Sequence, residues 1–261
     1  MGKVDFKGID IHFSEKGAGR ALVLLHGFLE NRTMWDSLTG TLSKRFRVVA
    51  IDLPGHGQTP CLGYVHTMEE MADAVKAVLD HLGLRRYVMV GHSMGGYVTL
   101  AFAERYPDHL KGFTLFFSTA RADSDEKRID RDRAIEAVKH NHHRFIRQAI
   151  PNLFRPRSRD TFRKEVNHAK AEALKTPLQG VVAALEGMKI RPDREVLLHF
   201  GPCPVQMICG ERDPVLPFKM IEPQTRGKKV THLLVTENGH MGHIEDREEC
   251  TRALLDFADS L

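Results

Sequence analysis

The chain has 261 residues, of which 42% are apolar and 28% charged, and a formal net charge of +4. That length suits one large domain with a sizeable buried core, and the composition excludes a disordered chain. No apolar run is long enough to span a bilayer, the start lacks the sections of a secretory signal, and Phe6 breaks the myristoylation pattern that Gly2 would open.

Val4–Phe6 and Ile9–Phe13 alternate and turn at Lys7-Gly8, which predicts an antiparallel hairpin at a sheet edge. Ala21–Leu25 is a short continuous apolar run, as expected of a strand buried on both faces. A helix is expected over Thr33–Leu42, where Trp35, Leu38 and Leu42 recur at helical spacing. Arg47–Asp52 reads as a second buried strand, stopped by Pro54-Gly55. Thr67 with Glu70 forms a capping box before a helix over Met68–Leu82, with Gly83 as its stop. Tyr87–Val90 is the next strand, Met94–Arg105 the next helix and Phe113–Phe117 another strand. This alternation implies a mostly parallel sheet with helices on both faces.

From Ala120 to His199 the rhythm breaks. Helical patterns appear at Ala134–Val138, Phe145–Leu153, Phe162–Leu174 and Gln179–Lys189, with no buried strand among them. Strands resume at Pro204–Cys209 and Val230–Val235, and a last helix covers Arg247–Leu261. The economical division is an α/β core of residues 1–119 and 200–261 with a helical insertion at 120–199. Cys61, Cys203, Cys209 and Cys250 form no CxxC pair and no zinc spacing, so reduced thiols in a cytoplasmic protein are expected.

Gly91-His92-Ser93-Met94-Gly95 joins a strand to a helix, the context of a nucleophile elbow. A serine there must sit on a tight turn that exposes its hydroxyl, and the flanking glycines relieve the crowding. The helix that follows directs N–H groups at a developing oxyanion. A nucleophilic serine needs a base and a group that orients it. Asp213 follows the strand after the insertion and His240 follows the final strand. Glu211 and Asp123 are alternative acids and His243 an alternative base. The chain order Ser, Asp, His favours Ser93, Asp213 and His240.

These residues, with Leu25-His26-Gly27-Phe28, Asp52-Leu53-Pro54-Gly55-His56-Gly57 and Gly210–Asp213, resemble the α/β-hydrolase superfamily, in particular esterase-like members with a helical cap such as pimeloyl-carrier methyl ester esterases. The resemblance covers the chain except the insertion. It implies an α/β-hydrolase fold with an eight-stranded, mostly parallel sheet, and a cap at 120–199. It also implies an oxyanion hole from the Phe28 and Met94 amides, and loop-stabilising roles for His26 and His56. The expected reaction is hydrolysis of a small-molecule carboxylic ester or thioester through an acyl-enzyme. A lyase or carbon–carbon bond hydrolase of the same fold is the alternative; such relatives place an arginine over the substrate carboxylate. A serine at position 93 excludes the aspartate-nucleophile relatives.

No dinucleotide fingerprint or phosphate loop occurs, so no cofactor is expected. His140, His142 and His143 lack a carboxylate or cysteine at ligand spacing, so no metal is expected either. Between Lys139 and Lys170 nine lysines and arginines stand against two acids, which leaves the rest of the chain net acidic. Most of this basic run, including Arg155, Arg157 and Arg159, is expected to be a solvated face, with docking of an acidic carrier or an anionic substrate as the sharper reading. No nucleic-acid motif accompanies it, so nucleic acid is not an expected partner.

Overall fold

The computed structural model describes residues 1–261. Eight strands form one sheet: β1 (Gly2–Phe6), β2 (Ile9–Lys16), β3 (Ala21–Leu25), β4 (Arg47–Ile51), β5 (Tyr87–His92), β6 (Leu110–Phe116), β7 (Val205–Gly210) and β8 (Val230–Thr236). Their order is β1-β2-β4-β3-β5-β6-β7-β8. β1 pairs antiparallel with β2, and β2 with β4, while all pairs from β4 to β8 are parallel. The expected edge hairpin and the mostly parallel sheet are both present.

Period-2 alternation in the apolar strands builds two cores. Val23, Leu25, Val49, Ile51 and Met89 face one side with α2 (Met68–His81) and α3 (Met94–Arg105). Leu22, Leu24, Val48, Ala50 and Val90 face the other with α1 (Asp36–Leu42). Every side chain of β3 is therefore buried, as its continuous apolar sequence requires. Thr67 Oγ1 caps α2 by accepting from the Glu70 amide at 3.1 Å. The reciprocal half of the box does not form, because the Glu70 carboxylate pairs with Lys7 instead.

Between β6 and β7 lie α4 (Asp125–Ala149), α5 (Ser158–Thr161), α6 (Arg163–Ala173), α7 (Leu178–Lys189) and α8 (Leu197–Phe200). The first departs from the sequence reading: one run replaces the two short patterns, interrupted at Asn141 (φ −156°, ψ 89°). The Asn141 side chain accepts from the Arg144 amide at 2.9 Å and so restarts the helix beyond the break. Ile135, Val138 and Ile146 of α4 and Val181, Leu185 and Met188 of α7 join the core on the α2–α3 side. Strand β6 begins earlier than expected and ends before Phe117, whose φ of 48° leaves the extended region. After β7 come α9 (Phe218–Ile221) and a 3-10 turn at Glu222–Arg226, neither anticipated; after β8 come α10 (Gly242–Glu245) and α11 (Arg247–Asp259). Cys250, Leu254 and Phe257 of α11 pack with α1 under the second face. No helix is long and apolar enough to cross a membrane.

The strand order reverses direction at β3, between β4 and β5. In open α/β sheets the crevice beyond the carboxyl ends of the strands at such a point is where ligands bind.

Candidate active site

Ser93 stands between β5 and α3 at φ 49°, ψ −110°, outside the conformations that side-chain-bearing residues favour. Its amide donates to the Phe116 carbonyl at 3.0 Å, and its carbonyl accepts from Ser118 Oγ at 2.7 Å. Glycine is required close by: a Cβ on Gly95 would lie 2.5 Å from the Leu25 carbonyl oxygen, and one on Gly91 would meet the Gly95 carbonyl. Leu29 (φ 63°) and Phe117 (φ 48°) are also strained, so three of the four non-glycine positive-φ residues sit just beyond β3, β5 and β6. Strain of this kind gathers where the fold overrules local preference to aim a side chain.

Asp213 follows β7. Its Oδ1 accepts from the Val215 and Leu216 amides at 2.7 and 2.9 Å, and its Oδ2 accepts from His240 Nδ1 at 2.7 Å. Both residues are at most 4% exposed. With Nδ1 held by the carboxylate, Nε2 is left to exchange a proton. The His240 amide donates to the Leu153 carbonyl at 3.0 Å, which ties this loop to the helical segment.

Ser93, His240 and Phe28 line one cavity of about 520 Å³, together with Tyr97, Leu153 and Met188. Their side chains share its wall, with no hydrogen bond between Ser93 and His240. Met94 is the first residue of α3, so its N–H has no carbonyl of the same helix to bond. A second cavity of about 380 Å³, against Asn31, Met34 and His168, contains none of Ser93, Asp213 and His240.

Neither alternative acid is the carboxylate bonded to His240, and the alternative base is not bonded to Asp213. His243 Nε2 faces Glu30 at 3.8 Å rather than Asp213. Glu211 is exposed. Asp123 is held by Arg131 and Arg191; burial opposes its charge, but the two guanidiniums keep its carboxyl below the usual range. His26 Nε2 accepts from the Leu53 amide at 2.9 Å and Nδ1 donates to the Gly27 carbonyl at 2.8 Å. It is therefore a neutral loop brace, and burial lowers its pKa. His56 packs against it with ring centroids 5.2 Å apart and is pushed down to about 3 by burial.

Two groups of residues escaped the sequence reading. Glu30 and His92 form a buried pair with Nδ1 to Oε2 at 2.6 Å. Arg191, which also packs 3.9 Å from the Tyr97 ring centroid, lines the Ser93 cavity with Asp123 and Arg131. Of these, His92 carried a signal because it flanks Ser93, and Asp123 because it follows a strand; Glu30, Arg131 and Arg191 carried none.

A family model described as the alpha/beta hydrolase fold matches residues 20–247. The solved structure of a thermophilic esterase from Thermogutta terrifontis, malate bound, is similar at TM-score 0.93 and 33% identity, covering 100% of this chain and 99% of that one. A pimeloyl-[acyl-carrier protein] methyl ester esterase of Neisseria meningitidis is 28% identical over 94% of this chain and 95% of its own length. The dihydrolipoyllysine-residue acetyltransferase component of an acetoin cleaving system of Pseudomonas putida is 26% identical over 92% of this chain. This chain spans less than two thirds of the first curated relatives it matches, 63% in that case.

Proposed function

From the premise that the chain belongs to the α/β-hydrolase family as an esterase-like member, we propose that it hydrolyses a carboxylic ester or thioester through an acyl-enzyme on Ser93. The observation that carries this reading is the buried His240–Asp213 hydrogen bond at the wall of the cavity that Ser93 also lines. His240 Nε2 takes the Ser93 proton as Oγ attacks the acyl carbonyl. The Phe28 and Met94 amides hold the tetrahedral oxyanion. Collapse expels the alcohol or thiol, which takes the proton from His240. Water, deprotonated by His240, then attacks the acyl-enzyme and restores Ser93. Residues 120–199 act as a cap in this account; Leu153, Met188 and Arg191 of that segment line the cavity. Turnover of p-nitrophenyl butyrate tests it: Ser93→Ala should lose at least about 1,000-fold in kcat, and unchanged turnover would refute the assignment.

A carbon–carbon bond hydrolase or lyase is the second reading, favoured by Arg121, Arg131 and Arg191 around the same cavity. Consumption of a ring-cleavage diketone faster than any simple ester would establish it over the first.

The basic surface supports an acidic carrier or anionic substrate as partner. Arg144, Arg147, Arg157, Arg163 and Lys164 are exposed, and none is in an ion pair, although ion pairs are frequent elsewhere. Arg155 is a different case, because its guanidinium donates to Asn238 Oδ1 at 3.2 Å and so braces the loop before His240.

A further inference from the structure

The loops after β3, β5 and β8 carry the oxyanion amide, the nucleophile and the base assigned above, and one buried carboxylate connects all three. Glu30 Oε2 accepts from the Gly27 amide at 3.0 Å and from His92 Nδ1 at 2.6 Å. From the opposite side of its ring, His92 Nε2 donates to the His240 carbonyl at 3.0 Å. Gly27 precedes Phe28 and His92 precedes Ser93, so this chain of bonds runs through every segment that holds a reacting group.

Both ring nitrogens of His92 face acceptors, a carboxylate and a carbonyl. Both therefore carry hydrogens, and the ring is an imidazolium beside an ionised Glu30. The titration directions agree with the geometry: burial opposes both charges, yet His92 holds Glu30 down to about 2 and Glu30 raises His92. His243, pushed down to about 4 by burial, and His26, lowered in the same way, are the neutral titratable neighbours. Asp213 and His240 complete the charged and titratable surroundings, and Phe116 and Phe117 close the apolar side. Two opposite charges in such a place are less favourable than packed apolar groups of the same volume. What they add is direction, because a carboxylate and an imidazolium fix the angles of four hydrogen-bonding groups that apolar packing leaves free.

We infer that Glu30 and His92 are a buried positioning pair that locks the oxyanion loop and the His240 loop to the nucleophile elbow. The inference rests on the Ser93–His240 reading and places the contribution of the pair in alignment of the reacting groups rather than in substrate binding. Glu30→Gln breaks it selectively. The Gln carbonyl oxygen still accepts from Gly27 and from His92 Nδ1, but a neutral His92 has one hydrogen only, so Nε2 turns a lone pair toward the His240 carbonyl.

Two readouts test this. In wild-type protein labelled with 15N-histidine, the resonance that His92→Asn removes should show an imidazolium at pH 8, and Glu30→Gln should convert it to a neutral ring. In p-nitrophenyl butyrate turnover normalised to titrated active sites, Glu30→Gln should lower kcat at least about 10-fold with KM within about threefold. A role confined to stability would reduce the fraction of titratable sites and leave kcat per site alone. A neutral His92 at pH 8 in the wild type, which needs no variant to fold apart from the assignment, overturns the inference. So does a Glu30→Gln kcat per site within threefold of wild type. Wild-type protein with no ester turnover contradicts the proposed function itself, and the inference falls with it.

Discussion

At the scale of single residues, the site is built from backbone positions that local preference would not choose. Ser93 is strained because α3 must begin immediately after β5, and Gly95 lets that helix approach the end of β3. Gly95→Ala should push the Leu25 carbonyl away and destabilise the protein by about 1–3 kcal/mol, read from urea midpoints. An unchanged midpoint would mean the elbow has slack. Asp213→Asn should leave the fold intact and lower kcat by about 10,000-fold, because the amide no longer fixes the His240 tautomer; steady-state turnover measures it. Buried neutral histidines make the fold sensitive to acid. His56 and His243 have folded values of about 3 and 4 against an unfolded value near 6.5. The unfolded chain therefore binds more protons below about pH 6.5. Each contributes a loss of at most about 1.4 kcal/mol per pH unit on acidification, through about pH 4 for His243 and pH 3 for His56. His92, with its raised pKa, stabilises in the acid range and loses that contribution as pH rises through its folded value, so it does not share this loss. Urea unfolding at pH 7 and pH 5 should show a lower midpoint at pH 5; equal midpoints would contradict the assignment of neutral buried rings. Ser93, Asp213 and His240 could be singled out as candidates because each follows a recognisable strand. The Glu30–His92–His240 bonds could not, since their partners are 62 and 148 residues apart and no periodicity marks them.

Among elements, strands buried on both faces were easy to read, since a run such as Leu22–Leu25 has no other stable place. The first half of α4 was hidden for the opposite reason. Asp125–Arg133 is charged on nearly every face, and Ile135 and Val138 are its first buried residues, so no apolar stripe announces the helix. Capping by Ser124, whose side chain accepts from the Lys127 amide at 3.2 Å, starts it instead. The helical segment is braced internally by polar ties as well as by apolar packing. Arg191, just past α7, bonds Asp123 Oδ1 at 2.7 Å, the Met188 carbonyl at 2.8 Å and the Arg121 carbonyl at 3.0 Å. Arg191→Met would strip a buried carboxylate of one cation and two carbonyls of their donor. A loss of about 3 kcal/mol in unfolding free energy is expected, and a loss under 1 kcal/mol would show that Arg131 alone satisfies Asp123.

For the whole molecule, the alternation of strand and helix implied a mostly parallel sheet, and the crevice at the β3 switch point follows from the order its strands take. What the amino-acid pattern did not carry is the shape of the cavity, because it is set where α4, α7 and the loops after β6 and β7 meet, far apart in sequence. Charge is also distributed on the molecular scale. Reversing Arg144, Arg147, Arg157 and Arg163 together should slow hydrolysis of a carrier-bound ester while sparing p-nitrophenyl butyrate, and equal effects on both would remove the docking proposal. The central claim is that Ser93 forms a covalent acyl-enzyme, and intact-mass analysis after treatment with a fluorophosphonate tests it most directly. The account predicts one adduct per wild-type chain, mapped by peptide sequencing to Ser93 and missing in Ser93→Ala; an unlabelled wild type, or an adduct on another residue, would contradict it.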